Sequence, residues 1–459
     1  MLKAIASTFA NCFKIPELKS RILFTLLLLG ICRLLAWIPV PGLDASSLTA
    51  YFSEANRELN SLLGMYSMFT GGGLQRCAVG ALGIMPYITA TIIIQLLSAV
   101  VPQLSKLVRE EGGRAKIIQY GRYLTVVLCL GHGTLMALGW EHPQQLFGDD
   151  FQGKLVVVEN LWWYRIQTVL MLTTGTLLLM WLGEQITERG IGNGVSLVIT
   201  IGIIADIPGA GQGLYYMMFP PEGGGAGLHI FQLAGLLLLL VAVVAGVISV
   251  TQAQRKIPVQ YAQRAVGRRV YAGQTSYMPL RVNYAGVMPI IFAGAILMFP
   301  SMVFFKLGAI LDMRFFEELG RQLSPGYLMY YVFYSAMILF FSYFWVATQF
   351  NEIQIADDLK KHGGYISGVR PGQATSNFLH HSMSRITLAG AIFLTVIAIT
   401  PMLLGQWFNI DQRVSQFFGG TSILITVGVL LDTMRQMESH LLMRHYDGFL
   451  KKGRIRGRF

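Results

Sequence analysis

Gly83-Ile84-Met85-Pro86-Tyr87-Ile88 and Gly286-Val287-Met288-Pro289-Ile290-Ile291 each set a glycine three residues before a proline inside a long apolar run. Each lies in the second full-length apolar run of its half of the chain. A proline removes one backbone donor and crowds the turn before it, so both helices are expected to bend there. Matched interruptions in two halves of a membrane chain point to a substrate pathway at the interface between repeats. Two unrelated proline kinks, which membrane helices tolerate, are the plainer explanation. The rest of the chain decides between them.

Composition places the chain in a membrane. Of 459 residues, 53% are hydrophobic and 13% charged, against about 25% charged in soluble domains. A spanning helix needs about 20 mostly apolar residues. Ten such spans are read at about 22–40, 75–101, 117–139, 161–182, 194–207, 229–250, 284–305, 327–349, 386–404 and 417–434. The first follows Lys3, Lys14, Lys19 and Arg21 and ends at Ile38-Pro39-Val40-Pro41-Gly42 without a small-residue cleavage motif, so it is read as a retained span. With a cytoplasmic N-terminus, 27 Lys and Arg fall to the cytoplasmic side and 8 to the exterior. Both termini are therefore expected in the cytoplasm. The net charge of +12 reflects topology first, and nucleic acid enters only through a ribosome.

Chemistry is scarce. Cys12, Cys32, Cys77 and Cys129 show neither metal-ligand spacing nor a disulfide framework. The Gly-rich stretches lack the Gly-Lys-Ser/Thr ending of a nucleotide loop, so no cofactor is expected. Apart from Arg33, no Asp, Glu, Lys or Arg lies deep in a span, which argues against an ion-coupled pump. Arg33 sits toward the exterior end of its span, where a structural role is favoured. His132 is read as a hydrogen-bonded packing residue. Gly192-Asn193-Gly194-Val195-Ser196 superficially resembles a serine elbow, but no His or Asp is placed to activate Ser196, so the chain is not read as an enzyme.

Several elements depart from plain spans. The apolar run from Ser61 to Phe69 is stopped by Thr70-Gly71-Gly72-Gly73 and is too short to cross, so it is either a re-entrant helix or an exterior amphipathic one. The fifth span is also short, and it opens in Gly190-Ile191-Gly192-Asn193-Gly194. Residues 251–282 carry Arg255, Lys256, Arg264, Arg268, Arg269 and Arg281 with no acidic residue, and residues 351–385 carry Lys360, Lys361, Arg370 and Arg385. Setting topology would need only short basic turns. Long basic loops are better explained as a docking surface for a cytosolic partner, while the basic tail suits membrane lipid.

The segment Ala81 to Leu97 resembles the second span of the SecY family of protein-translocation channels. Thr187 to Gly194 resembles the turn before that family's fifth span, and Gly267 to Tyr271 with Leu280 to Pro289 its loop into the seventh. Gly368-Val369-Arg370-Pro371-Gly372 resembles the tip of its loop between spans eight and nine, and Phe418 to Ser422 the start of its tenth. The blocks run in family order over nearly the whole chain and are most similar to bacterial members.

The resemblance implies an all-α polytopic membrane protein of ten helices in two inverted five-helix halves around a central hourglass pore, with a re-entrant plug helix. It divides the chain into an N-terminal half (1–207, plug about 61–73), a C-terminal half (208–434) and a basic tail (435–459). The implied pore ring is Ile84, Ile88, Val195, Ile199, Ile291 and Ile425. The implied plug core is Leu62, Leu63, Met65, Tyr66, Met68 and Phe69, and the implied lateral gate holds Pro86, Thr91, Gln95, Asn283 and Pro289. Arg255, Arg264, Arg268, Arg269, Lys360 and Arg370 fall to motor and ribosome docking. The implied partners are the SecE and SecG subunits, the SecA motor, a ribosome, signal peptides, unfolded preproteins and membrane lipid, in the inner membrane of a bacterium. An inverted-repeat small-solute transporter is the runner-up, and it would need convergent polar groups at the midplane. A membrane scaffold or insertase without a pore is the third possibility.

Overall fold

A computed structural model describes residues 15–54, 66–67, 69–110, 112–143, 151, 153–219, 230–261, 264–266, 269–271, 275–311, 313–407 and 421–452. The chain divides into two compact units, Met1–Pro221 with Val429–Phe459, and Glu222–Gly428.

The first unit opens with α1 (Pro16–Leu35), whose proline occupies the first turn, where its missing N–H costs nothing. A short α2 (Ala45–Glu54) comes after it. Next come α3 (Met85–Val100) and α4 (Pro102–Arg109), which meet at 104°. The long helices α5 (Gly113–Glu141) and α6 (Leu161–Arg189) pack side by side. Arg122 pairs with Glu184 at 2.8 Å, and Arg165 with Glu141 at 2.9 Å, clamping opposite ends of that pair. The turn after α1 and the turns before α3 are tied together: Val40 N donates to Cys77 O, Val79 N to Ile38 O and Gly80 N to Leu35 O.

The glycine-rich turn before α7 (Gly194–Ala205) is built from close contacts. Asn193 caps the helix by accepting from Ser196 N, Thr187 Oγ1 accepts from Gly194 N, and Thr25 Oγ1 accepts from Ile191 N at 3.0 Å. A Cβ on Gly194 would stand 1.8 Å from Gly183 O and 2.9 Å from Ile186 Cβ. Gly194→Ala therefore forces α6 and α7 apart, and overpacking of this kind is expected to cost about 2 kcal/mol or more. Thermal unfolding of the purified protein checks this. A midpoint as high as that of Gly211→Ala, whose Cβ meets no atom of the described residues within 4 Å, would contradict the tight contact. The fifth span is not short: α8 (Ile207–Met218) restarts one residue on, with Pro208 in its first turn, and Gly194–Tyr216 together are long enough to cross a bilayer.

The second unit begins with α9 (Ile230–Gln252), one of the most apolar helices in the chain. The strands β1 (Gln254–Tyr261), β2 (Arg264–Val266), β3 (Arg269–Tyr271) and β4 (Thr275–Arg281) come next. They lead into α10 (Met288–Leu311), the amphipathic α11 (Arg314–Gln322), α12 (Leu328–Gln349), α13 (Glu352–Lys361), β5 (Gly364–Ile366) and α14 (Gln373–Trp407). Helix α12 packs against both α10 and α14. Phe292 of α10 stacks edge-on with Phe341 and Trp345 of α12. The last helix, α15 (Thr421–Lys452), starts in the second unit and continues in the first.

Each of the ten expected spans contains a helix, and several boundaries move. Among the described residues, six helices are long and apolar enough to cross a membrane, or seven if α3 and α4 count as one bent span. The first span begins at Pro16 and ends at Leu35, before the Pro39-Val40-Pro41 turn. The second is helical only from Met85, because residues 70–84 fold into turns. The ninth begins at Gln373, ahead of its apolar core, and the tenth runs on to Lys452, beyond its own. The chain is a mostly helical multi-pass membrane protein.

Candidate functional site

The two Gly-x-Met-Pro units share one local structure. Gly83 has φ +59° and Gly286 φ +61°, and α3 and α10 begin two residues later at Met85 and Met288. Neither proline bends a helix, contrary to the sequence expectation. A left-handed residue cannot continue a right-handed helix, so the glycine closes the preceding segment and the proline opens the next helix.

In the first unit branched apolar residues gather around this helix start. Ile84 occupies the N-cap of α3, and Ile84, Ile88 and Ile199 are buried. Val195 is half-buried. Ile84 and Val195 meet at Gly183 of α6, where a Cβ would lie 3.6 Å from both Ile84 Cδ1 and Val195 N. In the second unit Ile291 and Ile425 are buried. Gly428, one turn beyond Ile425, receives Val287 so closely that a Cβ would stand 2.2 Å from Val287 Cγ1. Four of the six ring candidates thus belong to the first unit and two to the second.

Of the plug candidates, Leu62, Leu63, Met65 and Met68 lie outside the described residues. Tyr66 is buried and donates its hydroxyl to Leu82 O at 3.0 Å, and Phe69 is half-buried. Among the gate candidates, Pro86 and Pro289 are buried and Gln95 is half-buried. Asn283 Nδ2 donates to Gly286 O at 2.9 Å, bracing the turn that starts α10. Thr91 returns its hydroxyl to Ile88 O at 2.8 Å, and its methyl faces Gly121 of α5.

The basic segments are organised by a sheet that sequence reasoning missed. Strand β1 pairs antiparallel with β4, from Gln254↔Arg281 to Gln260↔Thr275, and with β5, from Val259↔Ile366 to Tyr261↔Gly364. Residues 251–282 and 351–385 are therefore one structure. Ile257, Val259, Leu280, Phe350, Ile366 and Leu379 form its core. Ile257 and Val259, two residues apart and flanked by Lys256 and Gln260, were the available signal. Arg264 and Arg269 lie on the β2–β3 hairpin, and Arg268 falls outside the described residues. Arg255, Lys360 and Arg370 are exposed. Arg370 sits between Gly368 at φ +81° and Gly372 at φ +97°, and its carbonyl accepts from Thr375 Oγ1 at 2.9 Å, so the loop tip is a braced turn.

A polar network also escaped the sequence. Glu184 accepts from Arg122 through both carboxylate oxygens, at 3.0 and 2.8 Å, and faces the Tyr87 hydroxyl at 3.4 Å. It links α3, α5 and α6 next to the Ile84–Ile88 stretch. Among the described residues no group of three or more His, Cys, Asp or Glu could hold a metal ion. The arrangement is one of apolar surfaces at the helix starts and basic surface on the sheet.

The family model SecY matches residues 78–434. The protein translocase subunit SecY of Chlamydia trachomatis is 41% identical, over 98% of this chain and 100% of its own length. The fold is similar to a solved structure described as a protein conducting channel, with TM-score 0.59 and 18% identity over 94% of this chain and 96% of that one. It is also similar to Sec61 in the canine ribosome-channel complex from the endoplasmic reticulum, with TM-score 0.56 and 17% identity over 94% and 96% of the two chains.

Proposed function

The chain belongs to the SecY family, and we propose that it is the central channel subunit of a protein translocon. It passes unfolded polypeptide across the bacterial plasma membrane and releases apolar segments sideways into lipid. The observation that carries this reading is the repeated Gly-x-Met-Pro helix start with buried aliphatic side chains after it in each unit. Ile84, Ile88, Val195, Ile199, Ile291 and Ile425 form the constriction. A ring of branched apolar side chains offers water and ions no hydrogen-bond partner, so it dewets and seals. It makes no specific bond to a passing chain either, and it therefore accepts any extended sequence. The two halves hinge at the exterior loop after the fifth span, residues 61–73 plug the exterior funnel, and both termini face the cytoplasm. The small-solute transporter reading has no support among relatives named protein translocase subunits. Resting current across a planar bilayer, compared between the parent and a variant with a polar ring, tests the channel reading.

Energy comes from outside the chain, from the SecA motor or a translating ribosome, and SecE and SecG complete the complex. The basic sheet and the Arg370 turn are the docking surface. Surface charge of this kind steers association and fixes register. Arg370→Glu reverses charge at a braced turn outside the apolar spans, so membrane insertion and SecE association are expected to persist while SecA-driven export falls at least tenfold. Export of a preprotein into inverted vesicles measures this. Export at the parent rate would reduce the loop's charge to a topology signal.

A further inference from the structure

Arg33 is a charge inside the apolar run of α1, and protein conduction assigns it no task. Its Nη1 donates to the backbone carbonyl of Gly71, 38 residues away, at the end of the plug segment. Arg33 and Cys32 line a cavity of about 30 Å³ together with Phe69, Thr70, Ile84 and Gly202. That is room for about one water molecule. A half-buried guanidinium needs its partner in such a place, because losing it leaves a charge in apolar surroundings.

The described residues beside Gly71 are also closely held. Tyr66 donates its hydroxyl to Leu82 O, in a buried bond. A Cβ on Gly71, at φ +64°, would come within 3.0 Å of Gly202 Cα on α7, and one on Gly202 within 3.2 Å of Phe69 O. A Cβ on Gly83 would stand 3.0 Å from Thr70 Cγ2. Arg76 and Asp206 are the charged groups that act on Arg33, and Arg76 is itself held on the Trp37 ring, 3.9 Å from its centroid.

We propose that Arg33 is a positioning residue that latches the described C-terminal end of the plug, Tyr66, Ser67 and Phe69 to Gly72, against α1 and α7 in the resting state. Every group in the latch belongs to the first unit. Motion inside that unit is therefore enough to open the latch. The proposal rests on reading residues 61–73 as a plug.

Ser67 reports on the latch, because it is buried and its hydroxyl has no hydrogen-bond partner among the described residues, so a cysteine there breaks none of the described bonds. In a background without Cys12, Cys32, Cys77 and Cys129, the rate at which maleimide labels Ser67→Cys tracks local opening of the segment. Arg33→Gln is expected to speed labelling about tenfold, equivalent to about 1.4 kcal/mol. Arg33→Lys, which keeps a donor without the planar fork, is expected to fall between the two. An unchanged rate in assembled Arg33→Gln overturns the latch. If Arg33→Gln does not assemble, Tyr66→Phe decides by the same measure, with about threefold faster labelling expected and an unchanged rate overturning it. Resting conductance of the same samples separates the latch from the plug. Faster labelling with a tight membrane would reject the segment as a seal and leave the latch standing.

Discussion

A disulfide between α3 and α10 is expected to stop signal-dependent export completely, and a long flexible crosslink between the same positions to restore it. A signal helix with its side chains is about 10 Å across, and it leaves the pore only if the helices flanking the lateral gate part by a comparable distance. A disulfide holds Cβ atoms about 4 Å apart and forbids this. Thr89 and Thr91 suit the α3 side, since their hydroxyls return to Met85 O and Ile88 O of the same helix and replacing them costs no bond between helices. Cysteines at either position, paired in turn with residues 292–299 of α10, locate the partner that oxidises fully. Cys77 sits at φ +46° in a turn, so the background free of native cysteines needs glycine there. Export at the unlinked rate with the disulfide fully formed would remove α3 and α10 from the gate.

The apolar runs make the helices legible, because spans of about 20 apolar residues have few other readings. Their starts are less so. Pro86 and Pro289 read as kinks since apolar residues continue on both sides, and only the left-handed Gly83 and Gly286 reveal that the helices begin there. Pro208 misleads in the opposite direction: in the sequence it lies just past the apparent end of the fifth span, and in the structure it opens α8. The basic sheet is hidden because β1 and β5 lie about a hundred residues apart and β5 is only three residues long. Arg33 stands out as a lone charge, whereas its partner is a backbone carbonyl, which no residue type announces. The ring candidates come only from family resemblance. A buried isoleucine on a helix looks like any other core residue, and nothing in Ile199 or Ile425 alone distinguishes a seal from packing.

Polar residues in the ring are expected to have the second large effect. Ile84, Ile88, Ile199, Ile291 and Ile425 are each buried, with no polar atom in the side chain to hold water. Replacing them together with Ser or Asn places hydroxyls and amides in the constriction, each of which stabilises a water molecule that the aliphatic ring excludes. A hydrated constriction conducts ions at rest, while an extended polypeptide still finds a passage of similar width. The variant is therefore expected to leak and to keep exporting. Assembly with SecE serves as the check on folding.

Current across a planar bilayer holding the purified complex, with no preprotein and no motor present, is the most direct measurement. The parent is expected to be silent and the polar-ring variant to carry a steady resting current. A folded variant as silent as the parent would contradict a pore sealed by these side chains.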